Sequence, residues 1–377
     1  MINSSRVVNV LNKNSTGGAE SLVRSLCESG PLNGDEIVHE QVFLANSKVS
    51  EWLFRKRFLR FIPILLFGFK IMKTILFNFS RKSQSELYFM FHLAECHVAA
   101  YFYRFVPEIF KRVHFVIYLH QSRELFPQKL IPITEKLLEK FPAICYSKSA
   151  TDSWFLNKSG LSGKRFVLHN AISREFNSSN FFCTKGKTEV IQLLFIGRLA
   201  KWKKPDLALE FAFVMSKNTK VHIKFIGFDE KEFRKIYYLP KLKHPNLKVM
   251  FLGMNKEISQ YLFKSNLMLY FAEPALSGES IGIASLEALS CGLPVMITNT
   301  SKTDFVGEPG ILQLVDYIGS ENQFDEAKIV SLVDRLKSPA KILSERDIRY
   351  WREKTSIQRY NLNLTNILNS EIKNMRG

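Results

Sequence analysis

Two glutamates, Glu279 and Glu287, flank seven residues in EPALSGESIGIASLEALSCGLP (273–294), and two cations, Arg198 and Lys203, precede them in GRLAKWKKPDLAL (197–209). Carboxylates so paired either share an acid/base task or accept hydrogen bonds from different hydroxyls of one ligand. The cations can neutralise a diphosphate, Arg198 as a planar fork and Lys203 as a point charge. On one continuous helix, an offset of eight residues puts the carboxylates about 80° out of phase. If Glu279 instead precedes the helix, both can approach a ligand lying across the helix N-terminus, where amides near Gly282 and Ile283 favour phosphate. Each pattern alone has an ordinary explanation: surface glutamates around a strand–helix turn, or a basic loop in a basic protein.

The elements that must position these residues alternate. An apolar run over Leu267–Ala272 predicts a strand, and the good helix formers of Ile283–Ser290 predict a helix stopped by Gly292 and Pro294. Val190–Ile196 predicts a strand ending in Gly197-Arg198, with Pro205 suited to the first turn of the next helix. Strands at Val221–Ile226 and Leu247–Leu252 end in Gly227 and Gly253, and Val295–Thr298 adds another. Helices are expected near 231–238 and 256–264. In the N-terminal half, strands are expected at 6–11, Val38–Leu44, Leu87–Phe91, Phe115–Leu119, Ala143–Tyr146 and Phe166–Leu168. Helices are expected at Ala19–Cys27, Ala94–Phe105 (ending before Pro107) and Ser147–Asn157. Gly17 and Gly18, between the first strand and its helix, allow backbone to come close to a ligand. His120 stands just past a strand's carboxyl end, where open α/β sheets place their ligand crevice.

Near-continuous apolar strands alternating with helices imply parallel sheets covered on both faces. The fold class expected is α/β, with two Rossmann-like domains facing a cleft. The divisions expected are residues 1–172 as the first domain, 173–189 as a polar linker and 190–349 as the second. An amphipathic tail of about 350–377 then crosses back to the first domain.

The chain has 377 residues and a net charge of +18, which favours an anionic partner: nucleic acid, anionic lipid or a phosphorylated substrate. Five scattered cysteines with no C-x-x-C pattern are expected as reduced, mostly structural thiols. Val7–Leu11 is too short for the apolar region of a secretion signal. Between Lys48 and Lys82, nine Lys and Arg stand against one Glu, with Trp52, Phe54, Phe58, Phe61, Phe67, Phe69, Phe77 and Phe79 among them. Lys70, Lys73, Pro63 and Gly68 interrupt any membrane span there. Two readings stand, a helix lying in an anionic membrane interface or a core-packing helix with solvated lysines; the charge favours the membrane.

Taken together, GGAE (17–20), His120, GRLAKWKKPDLAL (197–209) and GESIGIASLEALSCGLPV (278–295) resemble the GT-B fold retaining glycosyltransferases of family 4, the glycosyl transferases group 1. The last motif is the most specific, adding E-A-L-x-C-G-L-P-V to the glutamate spacing. The resemblance implies a hexosyltransferase acting on a UDP- or GDP-sugar, with a glycan or lipid-linked acceptor of cell-surface polysaccharide or lipopolysaccharide type. It implies that Glu279 contacts the donor sugar, Glu287 the ribose, and Arg198 and Lys203 the diphosphate. Gly17 and Gly18 would approach the same phosphates, as would Gly197 and the backbone of Ser280, Ile281, Gly282 and Ile283. Asn255 would meet the base mainly through backbone, and His120 would lie near the reacting sugar. Catalytic roles therefore fall to Glu279, His120, Arg198 and Lys203. With no D-x-D motif and the phosphates already served by cations, no metal or cofactor is expected. The expected location is cytoplasmic, peripheral on the inner face of the cytoplasmic membrane through 48–82, with no nucleic acid partner.

The sequence departs from the family at the interdomain turn, where His169-Asn170-Ala171-Ile172-Ser173 replaces P-N-G-V-D. A nucleotide-sugar epimerase on the same fold and a non-catalytic polyanion-binding protein are the alternatives.

Overall fold

The computed structural model describes residues 5–11, 18–28, 37–43, 68–76, 86–92, 94–120, 123–124, 126–156, 164–177, 189–237, 244–255, 257–272, 281–298, 304–318, 323–338 and 343–372. Gly17, Glu279 and Ser280 lie outside them, as does all of 48–82 except 68–76.

Among the described residues the apolar runs form twelve strands in two parallel sheets of six. The first sheet holds β1 (Ser5–Leu11), β2 (Ile37–Phe43), β3 (Leu87–Phe91), β4 (Val113–Leu119), β5 (Ala143–Cys145) and β6 (Arg165–Val167), in the order β2-β1-β3-β4-β5-β6. Every residue of β3 and β4 is buried, as expected of parallel strands covered on both faces. The second sheet holds β7 (Val190–Ile196), β8 (Lys220–Ile226), β9 (Leu247–Phe251), β10 (Leu267–Tyr270), β11 (Val295–Ile297) and β12 (Ile311–Gln313), in the order β12-β11-β10-β7-β8-β9. From β7 the chain builds outward through β8 and β9, then returns to the other side of β7 for β10 to β12. The order therefore reverses between β7 and β10, and open α/β sheets bind ligands at such a reversal.

The chain divides into two compact units, Met1–Ser173 with Ile357–Gly377, and Arg174–Ser356. The C-terminal helix Ile357–Asn366 thus belongs to the first unit: His39 on β2 bonds Asn361, Nε2 to Oδ1, at 2.9 Å. In the second unit, Phe195, Phe211, Phe225, Phe228, Phe233 and Phe271 are among the buried residues of a core between the sheet and its helices.

Local structure departs from expectation where chain-breaking residues act differently. The helix expected over Ala94–Phe105 stops at Phe102, and a new short helix, Val106–Ile109, starts with Pro107 in its first turn. Pro107 starts a helix there because a first-turn residue needs no amide hydrogen. Within the polar stretch 173–189, Arg174–Asn177 is helical and Phe176 is buried. The strand expected to reach Ala272 ends at Tyr270. β12 has no counterpart among the strands expected from sequence.

The strand-end glycines of the second sheet meet a hard limit. At Gly227 (φ +113°) an added Cβ would sit 2.3 Å from the carbonyl oxygen of Gly197, far inside contact. Gly227 N–H donates to Gly253 O at 2.8 Å and Gly197 N–H to Ile226 O at 2.9 Å, so three strand ends are tied through backbone. Gly307 also has positive φ (+82°), but no atom lies within 4 Å of its Cβ position. Gly227→Ala should therefore cost at least about 2 kcal/mol, strain plus overlap, and Gly307→Ala only about 1 kcal/mol. Thermal melts of both variants check this; equal losses would show that the strand ends are not so tightly constrained.

Candidate functional site

At the carboxyl end of β7 the chain leaves through Gly197 and Arg198 and folds into a short 3-10 turn, Lys201–Lys203. Lys203 N–H donates to Ala200 O and Lys204 N–H to Lys201 O, at 3.0 and 3.1 Å. Lys204 then takes a left-handed conformation, φ 45° and ψ 53°, and Pro205 opens the helix Pro205–Ser216. This reversal brings Lys203 back over the strand end. Its Cδ lies 3.1 Å and its Nζ 3.3 Å from where a Cβ on Gly197 would be. A side chain at 197 would displace the lysine, so the glycine is the seat on which Lys203 rests.

Lys203 Nζ also lies 5.6 Å from the centre of the Tyr270 ring and 4.8 Å from that of Trp202. Tyr270 ends β10, the strand beside β7, and the edge of its ring touches Gly282: a Cβ there would meet Tyr270 Cε2 at 2.9 Å and Oη at 3.3 Å. Tyr270 is thus a shared wall, with the ammonium of Lys203 against its ring and the start of the helix Ile283–Ser290 against its edge. The meeting point is the reversal between β7 and β10. Arg198 is exposed at the same strand end, and no described residue pairs with its guanidinium.

Gly282 is the N-cap of Ile283–Ser290, and no side chain caps it. Its carbonyl accepts Ser285 N–H at 2.9 Å, as a helix start requires, and the preceding amides point out along the axis. The far end of this helix is held firmly. Arg352 Nε donates to Ser290 O at 3.0 Å, and the Ser290 and Thr355 hydroxyls meet at 3.2 Å. A guanidinium on the last carbonyls also complements the helix dipole. The N-terminus, which no described side chain caps, therefore starts a fixed rod.

Glu287, one turn further along, is half-buried. Burial, reinforced by the neighbouring charge of Glu175, pushes its carboxyl up to about 8. Glu175 lies on the short helix Arg174–Asn177, which packs against Ile283–Ser290. Held neutral in this way, the carboxyl can still accept a hydrogen bond from a hydroxyl group through its carbonyl oxygen. Reasoning from sequence assigned 173–189 to a linker and so missed Glu175 as the residue that tunes Glu287.

Gly197, Arg198, Lys203, Ile281, Gly282, Ile283 and Glu287 all belong to the second unit, and the contacts above join several of them directly. Ile281 is buried and supports the helix start through packing. Asn255 is two residues past Gly253, and its side chain is already engaged. Its Nδ2 donates to Tyr261 Oη at 3.1 Å and its Oδ1 accepts Glu257 N–H at 2.8 Å, leaving its backbone for a ligand. In the first unit, Gly18 opens the helix Gly18–Glu28. His120 follows β4, half-buried, with its Nε2 2.8 Å from Nδ1 of His92. Burial pushes the His120 imidazole down to about 3, so the ring is neutral.

Residues 179–308 match the family model described as glycosyl transferases group 1. The N-acetyl-alpha-D-glucosaminyl L-malate synthase of Bacillus anthracis is 31% identical over 122 residues, which span 32% of this chain and 29% of that protein. The whole fold resembles HepE of Anabaena, solved in complex with UDP and glucose, at a TM-score of 0.64, 16% identity, and 97% and 100% coverage of the two chains. A glycosyltransferase from Rickettsia africae gives a TM-score of 0.65 at 14% identity, covering 99% of this chain and 98% of that one. The fold is GT-B, α/β with two parallel six-stranded sheets.

The state of Glu287 can be read without any ligand. Because folding raises its pKa above the unfolded value, its contribution to stability is complete below about pH 4.3. That contribution is lost as pH climbs through about 8. Glu287→Gln should therefore melt higher relative to the parent protein at pH 8.5 than at pH 5. A difference in Tm that does not change with pH would mean that the carboxyl is not held neutral.

Proposed function

We propose that the protein is a retaining glycosyltransferase that moves a hexose from a nucleoside diphosphate sugar to a glycan or lipid-linked acceptor. The observation that carries this reading is the convergence of Lys203, Tyr270 and the uncapped start of Ile283–Ser290 at the strand reversal. It falls within the segment that matches the group 1 family model. An ammonium and a row of outward amides at one point make a site for a diphosphate.

In this reading Arg198, Lys203 and the amides of Ile283 and Ala284 take up the charge that grows on the departing diphosphate. They neutralise that charge without a metal. The acceptor oxygen bonds to the anomeric carbon on the face from which the diphosphate leaves, and its proton passes to a phosphate oxygen. Configuration is thereby retained. Glu287 accepts from ribose hydroxyls, Glu279 from the donor sugar, and Asn255 meets the base through backbone. Gly17 and Gly18 approach the phosphates, and His120 serves the reacting sugar. UDP, present in the Anabaena structure, is the first nucleotide to test, with GDP beside it.

An acceptor anchored in a membrane would suit the first unit. On the helix at 68–76, Phe69, Met72 and Leu76 are exposed, at 75%, 37% and 59%. Their spacing puts them on one side of the helix, with Lys73 also exposed. The helix is anchored from its other side, where Lys70 Nζ donates to Phe43 O at 2.8 Å. No helix among the described residues is long and apolar enough to cross a membrane. Contact with the inner leaflet is therefore taken to be peripheral, through 48–82 on the cytoplasmic side.

Two outcomes test the reading. One nucleoside diphosphate should raise Tm by about 3 °C or more at a hundredfold excess over its Kd, in EDTA as well as without it. Lys203→Ala should lower transfer from the matching donor by roughly a hundredfold in kcat. No shift with any nucleotide, or full activity without Lys203, would contradict it; isomerised donor in the absence of acceptor would point to an epimerase. Separately, the protein should float with vesicles containing phosphatidylglycerol, and Phe69→Asp with Leu76→Asp should weaken flotation at least fivefold. Equal recovery of parent and variant would remove the membrane role.

A further inference from the structure

Five polar side chains of the first unit form a chain of hydrogen bonds running through its sheet. From the last helix, Asn361 Oδ1 lies 2.9 Å from His39 Nε2, and His39 Nδ1 lies 3.3 Å from Asn9 Nδ2. Asn9 Oδ1 lies 2.8 Å from His92 Nε2, and His92 Nδ1 lies 2.8 Å from His120 Nε2. Asn9 is on β1 and His39 on β2, while His92 follows β3 directly and His120 follows β4. Asn9 and His92 are each 1% exposed.

One contact fixes the direction of every proton. Asn9 Nδ2 also donates to the backbone carbonyl of Glu40 at 3.1 Å, and a carbonyl oxygen can only accept. Asn9 Oδ1 is therefore the acceptor facing His92, so His92 must carry its proton on Nε2. Burial pushes His92 well below its ordinary pKa, so the ring is neutral and has one proton to place. Its Nδ1 is then an acceptor, and His120 must donate from Nε2. On the other side, the second hydrogen of Asn9 Nδ2 goes to His39 Nδ1, and His39 Nε2–H donates to Asn361 Oδ1. All five contacts agree on one direction. His120 is left neutral with its lone pair on Nδ1, and no described residue donates to that atom. Stacking against Tyr118 and His92, with ring centres 4.3 and 5.1 Å away, limits rotation of the His120 ring.

We infer that Asn9 and His92 are positioning residues that hold His120 as its Nε2–H tautomer, presenting Nδ1 as a hydrogen-bond acceptor for a hydroxyl of the sugar being transferred. The sugar in this statement rests on the function proposed above; the tautomer does not. The last helix enters the same device through Asn361, which terminates the chain of donors on an oxygen. Without such a chain the neutral imidazole could place its proton on either nitrogen, and the Nδ1–H form would offer a donor where an acceptor is required.

The tautomer can be observed directly. In the full-length protein labelled with 15N-histidine, long-range 1H–15N correlation spectra separate the protonated from the bare ring nitrogen of each of the eight histidines. Signals are assigned by their loss in His92→Phe and His120→Asn. Both His92 and His120 should be Nε2–H; a proton on Nδ1 of His120 would overturn the inference. His92→Phe keeps a ring in the stack but removes the acceptor, so the His120 signal should become a mixture of tautomers. Its kcat should fall about tenfold or more, with donor KM and nucleotide affinity changed less than threefold.

Replacing His120 itself adds a test that folding alone would not pass. Asn can place an acceptor near the position of Nδ1, whereas Gln reaches the position of Nε2. His120→Asn should therefore retain several times the activity of His120→Gln; the reverse ranking would overturn the use of Nδ1. Absence of transfer with every donor would sink the function proposed above, and the spectra would still decide the hydrogen-bond chain.

Discussion

Backbone must touch backbone at the carboxyl edge of the second sheet. With Gly227's Cβ position 2.3 Å from Gly197 O, the ends of β7 and β8 approach as closely as atoms permit. The tie from Gly227 N–H to Gly253 O extends that constraint to the chain beyond β9. A flush edge leaves room for Lys203 to lie back across Gly197, and thus to reach the ring of Tyr270 on the neighbouring strand. The ring in turn stands against Gly282, so the cation and the helix start share one wall. Removal of either glycine would move a charge or a helix away from the strand reversal.

The first sheet has the same parallel construction and a different chemistry at its carboxyl edge. Where the second sheet clears space with glycines, the first buries histidines and asparagines in a connected chain. Buried polar groups cost stability unless they find partners, and from Asn361 to His120 each link of this chain pairs one donor with one acceptor. Nδ1 of His120 receives no hydrogen bond from a described residue, and it belongs to the residue just past the end of its strand. That chain fixes the proton positions of the histidine ring, and through Asn361 it includes the C-terminal helix.

Much of this was legible from residue types. Continuous apolar runs ending in Gly197, Gly227 and Gly253 indicate parallel strands with an open carboxyl edge, and Pro205 and Gly292 bound their helices because backbone sterics act locally. The sheet order was not legible, since it depends on which side of β7 the chain returns to. Tyr270 reads simply as the end of an apolar strand; its place between Lys203 and Gly282 depends on that order. Lys204 takes a left-handed conformation without being glycine, so no residue type announces the turn that carries Lys203 back. Glu175 sits in a polar stretch whose composition suggests a linker, although Phe176 anchors it to the second unit. The histidine chain draws on β1, β2, the ends of β3 and β4, and the last helix. Its spacing in sequence therefore carries no period to recognise. Glu279, the first residue to suggest a sugar site, lies outside the described residues, and its role rests on spacing and resemblance alone.

The central claim is that the reversal between β7 and β10 holds a nucleoside diphosphate. A crystal structure of the full chain with UDP would test it most directly. The account predicts the diphosphate against Lys203 Nζ and the amides of Ile283 and Ala284, within hydrogen-bond distance of each, with the ribose on Glu287. A diphosphate bound elsewhere, or bound at this edge without contact to Lys203 or the helix start, would contradict it.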